Sequence, residues 1–434
     1  MRRLLLAATL PLVLAGCLAG CVVLPDVAAR PAPASGSSGT VTRALQDVER
    51  FWREHYPALS GGEQFRVVKG GYHPYTEVDP PPDCGGQQAG YQPNAFYCPA
   101  GDYIAWDAQT LIPQLESSFG PVLVGVVMAH EYGHAVQTRL GRTNDPTVVL
   151  EQQADCFAGA WLADVLAGRS TAFRDVTPAQ LDNTVAGLLM LRDQPGTPAL
   201  AQGAHGNAFD RVRALQDGVE KDAKTCAAYR RDNLPVTEVP FRDLAEAATG
   251  GDLPYADAVN LLAADAQAYW GRTYPELTQQ AWPQLQVQAF EPGAPPACPA
   301  PDATAEGAAF YCPDGDFVAF DSGETGPELH REIGDFAIGM LLGDLFARAA
   351  QDRRGASTRD KAGQLAVDCL AGSWTNDLLT RQGQSDVRLS PGDLDEAVTA
   401  LLAFGRAGDS GRTTAFERIA SYRKGVLDGL DACV

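Results

Sequence analysis

The chain repeats itself, and that constrains its fold more than any other feature. Phe51-Trp52 with Tyr56-Pro57 returns as Tyr269-Trp270 with Tyr274-Pro275, and Ala95-Phe96-Tyr97-Cys98-Pro99 as Ala309-Phe310-Tyr311-Cys312-Pro313. Asp155-Cys156-Phe157-Ala158-Gly159 returns as Asp368-Cys369-Leu370-Ala371-Gly372, and Ala208-Phe209-Asp210-Arg211 as Ala415-Phe416-Glu417-Arg418. Four landmarks in one order predict two related domains, residues 42–232 and 252–434, joined by a linker at 233–251. The length of 434 residues suits two such domains.

Each copy reads as a helix, a short β region, then several helices. Leu45, Val48, Phe51 and Trp52 put an apolar stripe on a helix from Ala44 to His55, which the Tyr56-Pro57 step should end. Phe65 to Val68 and Tyr103 to Trp106 are short and aromatic or β-branched, as strands are. Gly120 to Leu140, Val148 to Leu166, Pro178 to Arg192 and Ala208 to Tyr229 have helical length and composition. The expected class is α+β, mainly helical.

The N-terminus predicts the compartment. Arg2 and Arg3 precede an apolar run from Leu4 to Leu14, then Leu14-Ala15-Gly16-Cys17 and Leu18-Ala19-Gly20-Cys21, each with a small residue before a cysteine. Both resemble a bacterial lipobox, so 1–21 is expected to be a signal peptide with lipidation at Cys17 or Cys21. An uncleaved anchor over Leu4 to Leu24 is the alternative. Residues 22–41, rich in Pro, Ala, Ser and Gly, read as a flexible tether. The folded part is therefore expected at the outer face of the bacterial cytoplasmic membrane, held by the N-terminal lipid. Outside the cytoplasm the remaining eight cysteines read as disulfides, four to a copy. Of the three connectivities open to each four, we favour Cys84–Cys98 with Cys156–Cys226, and Cys298–Cys312 with Cys369–Cys433. A cysteine zinc site lacks any Cys-x-x-Cys to support it. The formal charge of −20 argues against nucleic acid as a partner.

The chemistry is concentrated in His130-Glu131-Tyr132-Gly133-His134, which follows the apolar run Val122 to Ala129. Residues four apart project from one helix face, so His130 and His134 can give two imidazole nitrogens to one tetrahedral Zn2+. Glu131 sits beside them, where it can take a proton from water activated by the metal. Glu151 and Asp155, again one helical turn apart, come one loop later. Glu151 would be the third ligand, while Asp155 would accept the remaining ring N–H of a ligating histidine.

The second copy is an internal control. In register, His130 falls on Asp344, Glu131 on Leu345, His134 on Arg348 and Glu151 on Gln364, so the whole set is lost while the fold markers stay. Asp155 persists as Asp368, which gives it a partly structural role. His205 is replaced by Arg412; its loss together with the ligands suggests a catalytic part, such as donating to a developing oxyanion.

These motifs resemble those of a bacterial family, the putative neutral zinc metallopeptidases. The likeness rests on Phe96 to Pro99, His130 to His134, Glu151 to Gly159, and His205-Gly206 leading to Arg211. It covers residues 42–232, and the second copy only as a diverged repeat. It implies a zincin-like peptidase domain duplicated in tandem, the second copy without its metal site. It also implies ligands His130, His134 and Glu151, with Glu131 as general base. The expected substrate is a peptide or protein of the cell envelope, adding as an extended chain beside a strand such as Tyr103 to Trp106. The second domain is expected to pack on the first. Two rivals remain: a non-catalytic envelope scaffold lipoprotein, and hydrolysis of a non-peptide amide such as a cell-wall cross-link.

Overall fold

A computed structural model describes residues 37–434 apart from 87–89, 200, 202–203, 305–306, 382–386 and 407–412. Cys17, Cys21, the signal peptide, most of the tether and Arg412 lie outside the described residues. The class is α+β and mainly helical. No helix among the described residues is long and apolar enough to cross a membrane.

The first half begins with α1 (Ser37–Leu59). A three-stranded sheet follows, made of β1 (Gly71–Tyr75), β2 (Ala95–Cys98) and β3 (Tyr103–Asp107) in the order β1-β3-β2. Strand β3 runs parallel to β1 and antiparallel to β2. Helices α2 (Leu111–Phe119), α3 (Pro121–Arg139), α4 (Thr147–Leu166), α5 (Pro178–Met190), α6 (Ala208–Glu220) and α7 (Ala223–Ala227) complete it. After α8 (Leu244–Ala248) in the linker, the second half opens with α9 (Tyr255–Thr278). Its sheet has strands β4 (Gln286–Phe290), β5 (Asp302–Thr304), β6 (Ala309–Cys312) and β7 (Phe317–Asp321) in the order β4-β7-β6-β5. Helices α10 (Thr325–Glu332), α11 (Asp335–Arg353), α12 (Lys361–Thr380), α13 (Asp393–Arg406) and α14 (Ala415–Asp428) follow.

The two halves thus share an order of elements, and they also share polar contacts that no landmark revealed. The Trp161 indole donates to Asp47 on α1 at 3.0 Å, and Trp374 to Asp265 on α9 at 2.9 Å. Arg139 pairs with Asp102 as Arg353 does with Asp316, and both aspartates take positive φ. Asp107 at the end of β3 accepts from the backbone N–H groups of Gln109, Thr110 and Leu111, and Asp321 does the same for Gly323, Glu324 and Thr325. The eight cysteines form Cys84–Cys98, Cys156–Cys226, Cys298–Cys312 and Cys369–Cys433.

Several local expectations need correcting. Residues 37–41 are not tether but the first turns of α1, because Val41 is buried and Thr40 donates to Glu116 on α2 at 2.6 Å. Helix α1 runs through Pro57 to Leu59, since Tyr56 is held in the core and donates to the Arg139 carbonyl. Phe65 to Val68 is not a strand: Phe65 plugs the aromatic cluster of Trp52, Tyr56 and Tyr132, and the first strand starts only at Gly71. The Ala208 to Tyr229 helix breaks at Lys221, and Asp222 caps a new start by accepting from Thr225 N–H at 2.7 Å. The break lets Cys226 reach Cys156 on α4.

The halves pack through α13 and α14 against α5 and α6. Asp395 accepts from Phe209 N–H at 2.9 Å and pairs with Arg192; Arg423 reaches Asp217 and Glu220. Apolar side chains of both halves join in one continuous core.

Candidate metal centre

Small residues set the site. Helix α3 is buried on nearly every side, and where it crosses α4 the glycine inside the histidine motif faces Ala154. A Cβ on Gly133 would stand 3.0 Å from the Ala154 Cα, so only a glycine there lets the helices close this far. Ala154 lies between Glu151 and Asp155, and the crossing therefore carries both carboxylates to the two histidines. Helices α4 and α6 approach in the same way: a Cβ on Gly159 would lie 2.0 Å from the Leu215 carbonyl, and one on Gly218 2.0 Å from that of Cys156. This second contact brings Arg211 beneath the site.

His130 Nδ1 is 2.7 Å from Asp155 Oδ1, and His134 Nδ1 is 2.9 Å from Gln137 Oε1. With both Nδ1 atoms engaged, the Nε2 atoms turn to Glu151, at 3.2 Å from His130 and 3.6 Å from His134. One ligand atom from each of the three residues lies within 4.8 Å of the others. Glu151 Oε2 is buried with no well-aligned hydrogen-bond donor, despite the 3.2 Å approach of the imidazole. Two nitrogens and an orphaned carboxylate oxygen aimed at one point fit a zinc ion. The charges agree, because Glu131, Glu151 and Asp155 face one guanidinium, Arg211, and a dication offsets the excess.

Glu131 is buried beside His130 and accepts from Tyr97 N–H of β2 at 2.9 Å. Burial pushes its carboxyl above the usual carboxylate range, against the pull of the two histidines. Burial acts on Asp155 in the same direction but is outweighed: Arg211, at 2.9 Å and 3.0 Å, and His130 hold its carboxyl well below that range. The histidines bring Glu151 down to about 2, again against burial.

All these groups border one cavity of about 430 Å³, with Leu111, Leu115 and Leu188 as part of its apolar wall. His205 stands on its exposed rim, its Nδ1 3.5 Å from Asp193. The strand expectation needs correction. Tyr103 to Trp106 belongs to β3, the central strand, whose two edges are taken by β1 and β2. The open edge on the cavity is β2, and Asn94 to Tyr97 line it. Sequence reasoning also missed two supporting groups, Gln137 and Arg211. Gln137 was within reach, being three residues after His134 on one helix face; Arg211 was visible only as part of a shared segment.

In the second half the same place holds an ionic cluster. Arg348 donates to Asp344 at 2.6 Å and to Asp302 on β5 at 2.9 Å, while Arg418 binds Asp368 at 2.8 Å and 3.0 Å. The Asp368–Arg418 pair matches Asp155–Arg211 in the first half. Leu345 stands fully buried at the position of Glu131, and Gln364 accepts from Thr413 at 2.9 Å. Strand β5 pairs antiparallel with β6, so the edge left open at β2 is covered there by the chain itself.

Fold and site together define a helical α+β domain with a His-Glu-x-x-His helix and a third, carboxylate donor on the next helix. Residues 35–226 match the family model described as putative neutral zinc metallopeptidase. Uncharacterized protein Rv2575 of Mycobacterium tuberculosis and Uncharacterized protein Mb2605 of Mycobacterium bovis are each 42% identical over 79 residues. The match covers 15% of this chain and 27% of each relative, so the chain spans about a quarter of the length of the curated relatives it matches. No solved structure gives a significant match.

Proposed function

We propose that the first half is a zinc-dependent peptidase acting on peptides or proteins of the cell envelope, with His130, His134 and Glu151 as ligands and Glu131 as general base. The observation that carries this reading is the convergence of two imidazole Nε2 atoms and a donorless, buried carboxylate oxygen beside a second buried carboxylate. A zinc ion there would supply a Lewis acid for the scissile carbonyl. Glu131, fixed by the Tyr97 N–H, takes the proton of the attacking water and passes it to the leaving amine. Asp155 fixes the His130 ring and Gln137 that of His134. His205, on the rim, donates to the oxyanion. An extended substrate adds antiparallel to β2, as β5 adds to β6 in the second half.

We read the two halves as a tandem duplication, the second without metal and with its cleft filled by β5 and the Arg348 cluster. Lipidation at Cys17 or Cys21 would hold both at the outer face of the cytoplasmic membrane. The scaffold reading has one observation in its favour, the second half itself, in which the fold stands without the ligand set. Metal analysis of wild type, His134→Ala and Glu151→Gln, with peptide hydrolysis in parallel, separates the two. The peptidase reading expects about one zinc in the wild type and loss of metal and activity together in both variants. Properly folded wild type without zinc would leave the scaffold.

A further inference from the structure

A second cluster of oxygen donors lies in the second half, around the first turn of α11. Asp335 begins that helix, Glu396 lies in the first turn of α13, and Asp252 precedes α9; one carboxylate oxygen from each lies within 4.8 Å of the others. Backbone donors fix one side of the group. Leu253 N–H donates to Asp335 Oδ2 at 2.7 Å, and Phe336 N–H to Glu396 Oε2 at 2.8 Å. Asp335 is only 5% exposed, and its Oδ1 has no hydrogen-bond partner. No described lysine or arginine pairs with any of the three, and the nearby His330 gives its Nε2 to the Leu253 carbonyl at 2.7 Å.

Carboxylates crowded in this way repel one another and lack solvation. Burial first, then Asp252, pushes Asp335 up to about 6, and burial first, then Asp393, holds Glu396 well above the usual carboxylate range. The backbone is shaped around the cluster: Gly334 has φ 140°, and a Cβ there would lie 2.1 Å from the Glu396 carboxyl carbon. In the first half the corresponding helix begins with Pro121, so the acidic group belongs to the second half alone.

We infer that Asp252, Asp335 and Glu396 form a calcium site. All three donors are oxygens, and a calcium ion with bonds of about 2.3–2.6 Å spans ligand pairs up to about 5 Å apart, which matches their spacing. Asp252 reaches solvent, leaving room for water ligands and a route of entry. The ion would tie the linker to α11 and α13. Asp395, next to Glu396, caps Phe209 of the first half, so the site would also stiffen the contact between halves.

The test is calorimetric titration of the zinc-loaded full chain with Ca2+ after EGTA treatment, beside Asp335→Asn and Glu396→Gln, with thermal unfolding of each. The wild type should bind about one Ca2+ with a dissociation constant on the order of 0.1–1 mM, and its unfolding midpoint should rise with calcium. Both variants should bind at least tenfold more weakly, show no such rise, and be no less stable than wild type in EGTA. A wild type that neither binds nor shifts overturns the site, as does undiminished binding in both variants. If Asp335→Asn does not fold, Glu396→Gln alone decides. Zinc content is measured on the same samples before and after EGTA treatment, so failure of the calcium site is distinguishable from failure of the peptidase reading.

Discussion

Asp155 links the chemistry of the site to its framework, accepting from Arg211 with both oxygens while orienting His130. Asp155→Asn should weaken zinc binding by about 10–100-fold, measured by competition with a chelating dye. Arg211→Met leaves the buried carboxylate with His130 but no guanidinium, and should cost about 3–5 kcal/mol in urea unfolding; a loss within error of zero would deny Arg211 that role. In the second half Asp302, Asp344 and Asp368 share two guanidiniums, those of Arg348 and Arg418. Burial, reinforced by Asp344, raises Asp368 to about 6 against the pull of Arg418 and Arg348. Between about pH 4 and 6 the folded state then keeps a proton that the unfolded chain has released, so this group's contribution to stability falls as pH rises through that window. The difference in urea midpoint between wild type and Asp368→Asn should move against the wild type from pH 4 to 6, and a constant difference would refute the assignment.

Helices α4 and α6, and their counterparts α12 and α14, explain why Asp-Cys-x-Ala-Gly recurs. Gly372 and Gly425 repeat the close approach of Gly159 and Gly218, with added Cβ atoms 2.1 Å from the Tyr422 carbonyl and 2.0 Å from that of Cys369. Gly159→Ala should therefore destabilise by about 1–3 kcal/mol and lower activity by shifting Arg211 away from Asp155, read by urea unfolding and by kcat/KM. An unchanged kcat/KM would mean that the crossing does not position the site. Such local features were legible in the sequence: the histidine spacing, the Glu151 and Asp155 turn, the bounds of α3 and α4. The sheet was less so. Which strand stays open depends on long-range pairing, and Asp302–Thr304 is too short to announce itself as a strand. The acidic group at α11 was invisible for the same reason, its members being scattered from Asp252 to Glu396.

At the scale of the molecule, the second half occupies the face of α5 and α6 that the first half would otherwise expose. Gln216 donates to the Phe416 carbonyl at 2.8 Å and Phe416 N–H to Asp182 at 3.0 Å, so polar groups are matched across the contact as well as apolar ones. Residues 42–232 alone, which also lack the first turn of α1, should be aggregation-prone and poorly active by light scattering and peptidase assay. If they are monodisperse and fully active, the second half is not needed as a packing partner. Zinc content and peptidase activity of residues 37–434, wild type beside Glu131→Gln, decide whether the first half hydrolyses peptides with zinc and Glu131. About one zinc is expected in both proteins, with activity in the variant lower by a factor on the order of 10²–10⁴. Equal activity in the two proteins, or no zinc in folded, disulfide-bonded wild type, would contradict the peptidase reading.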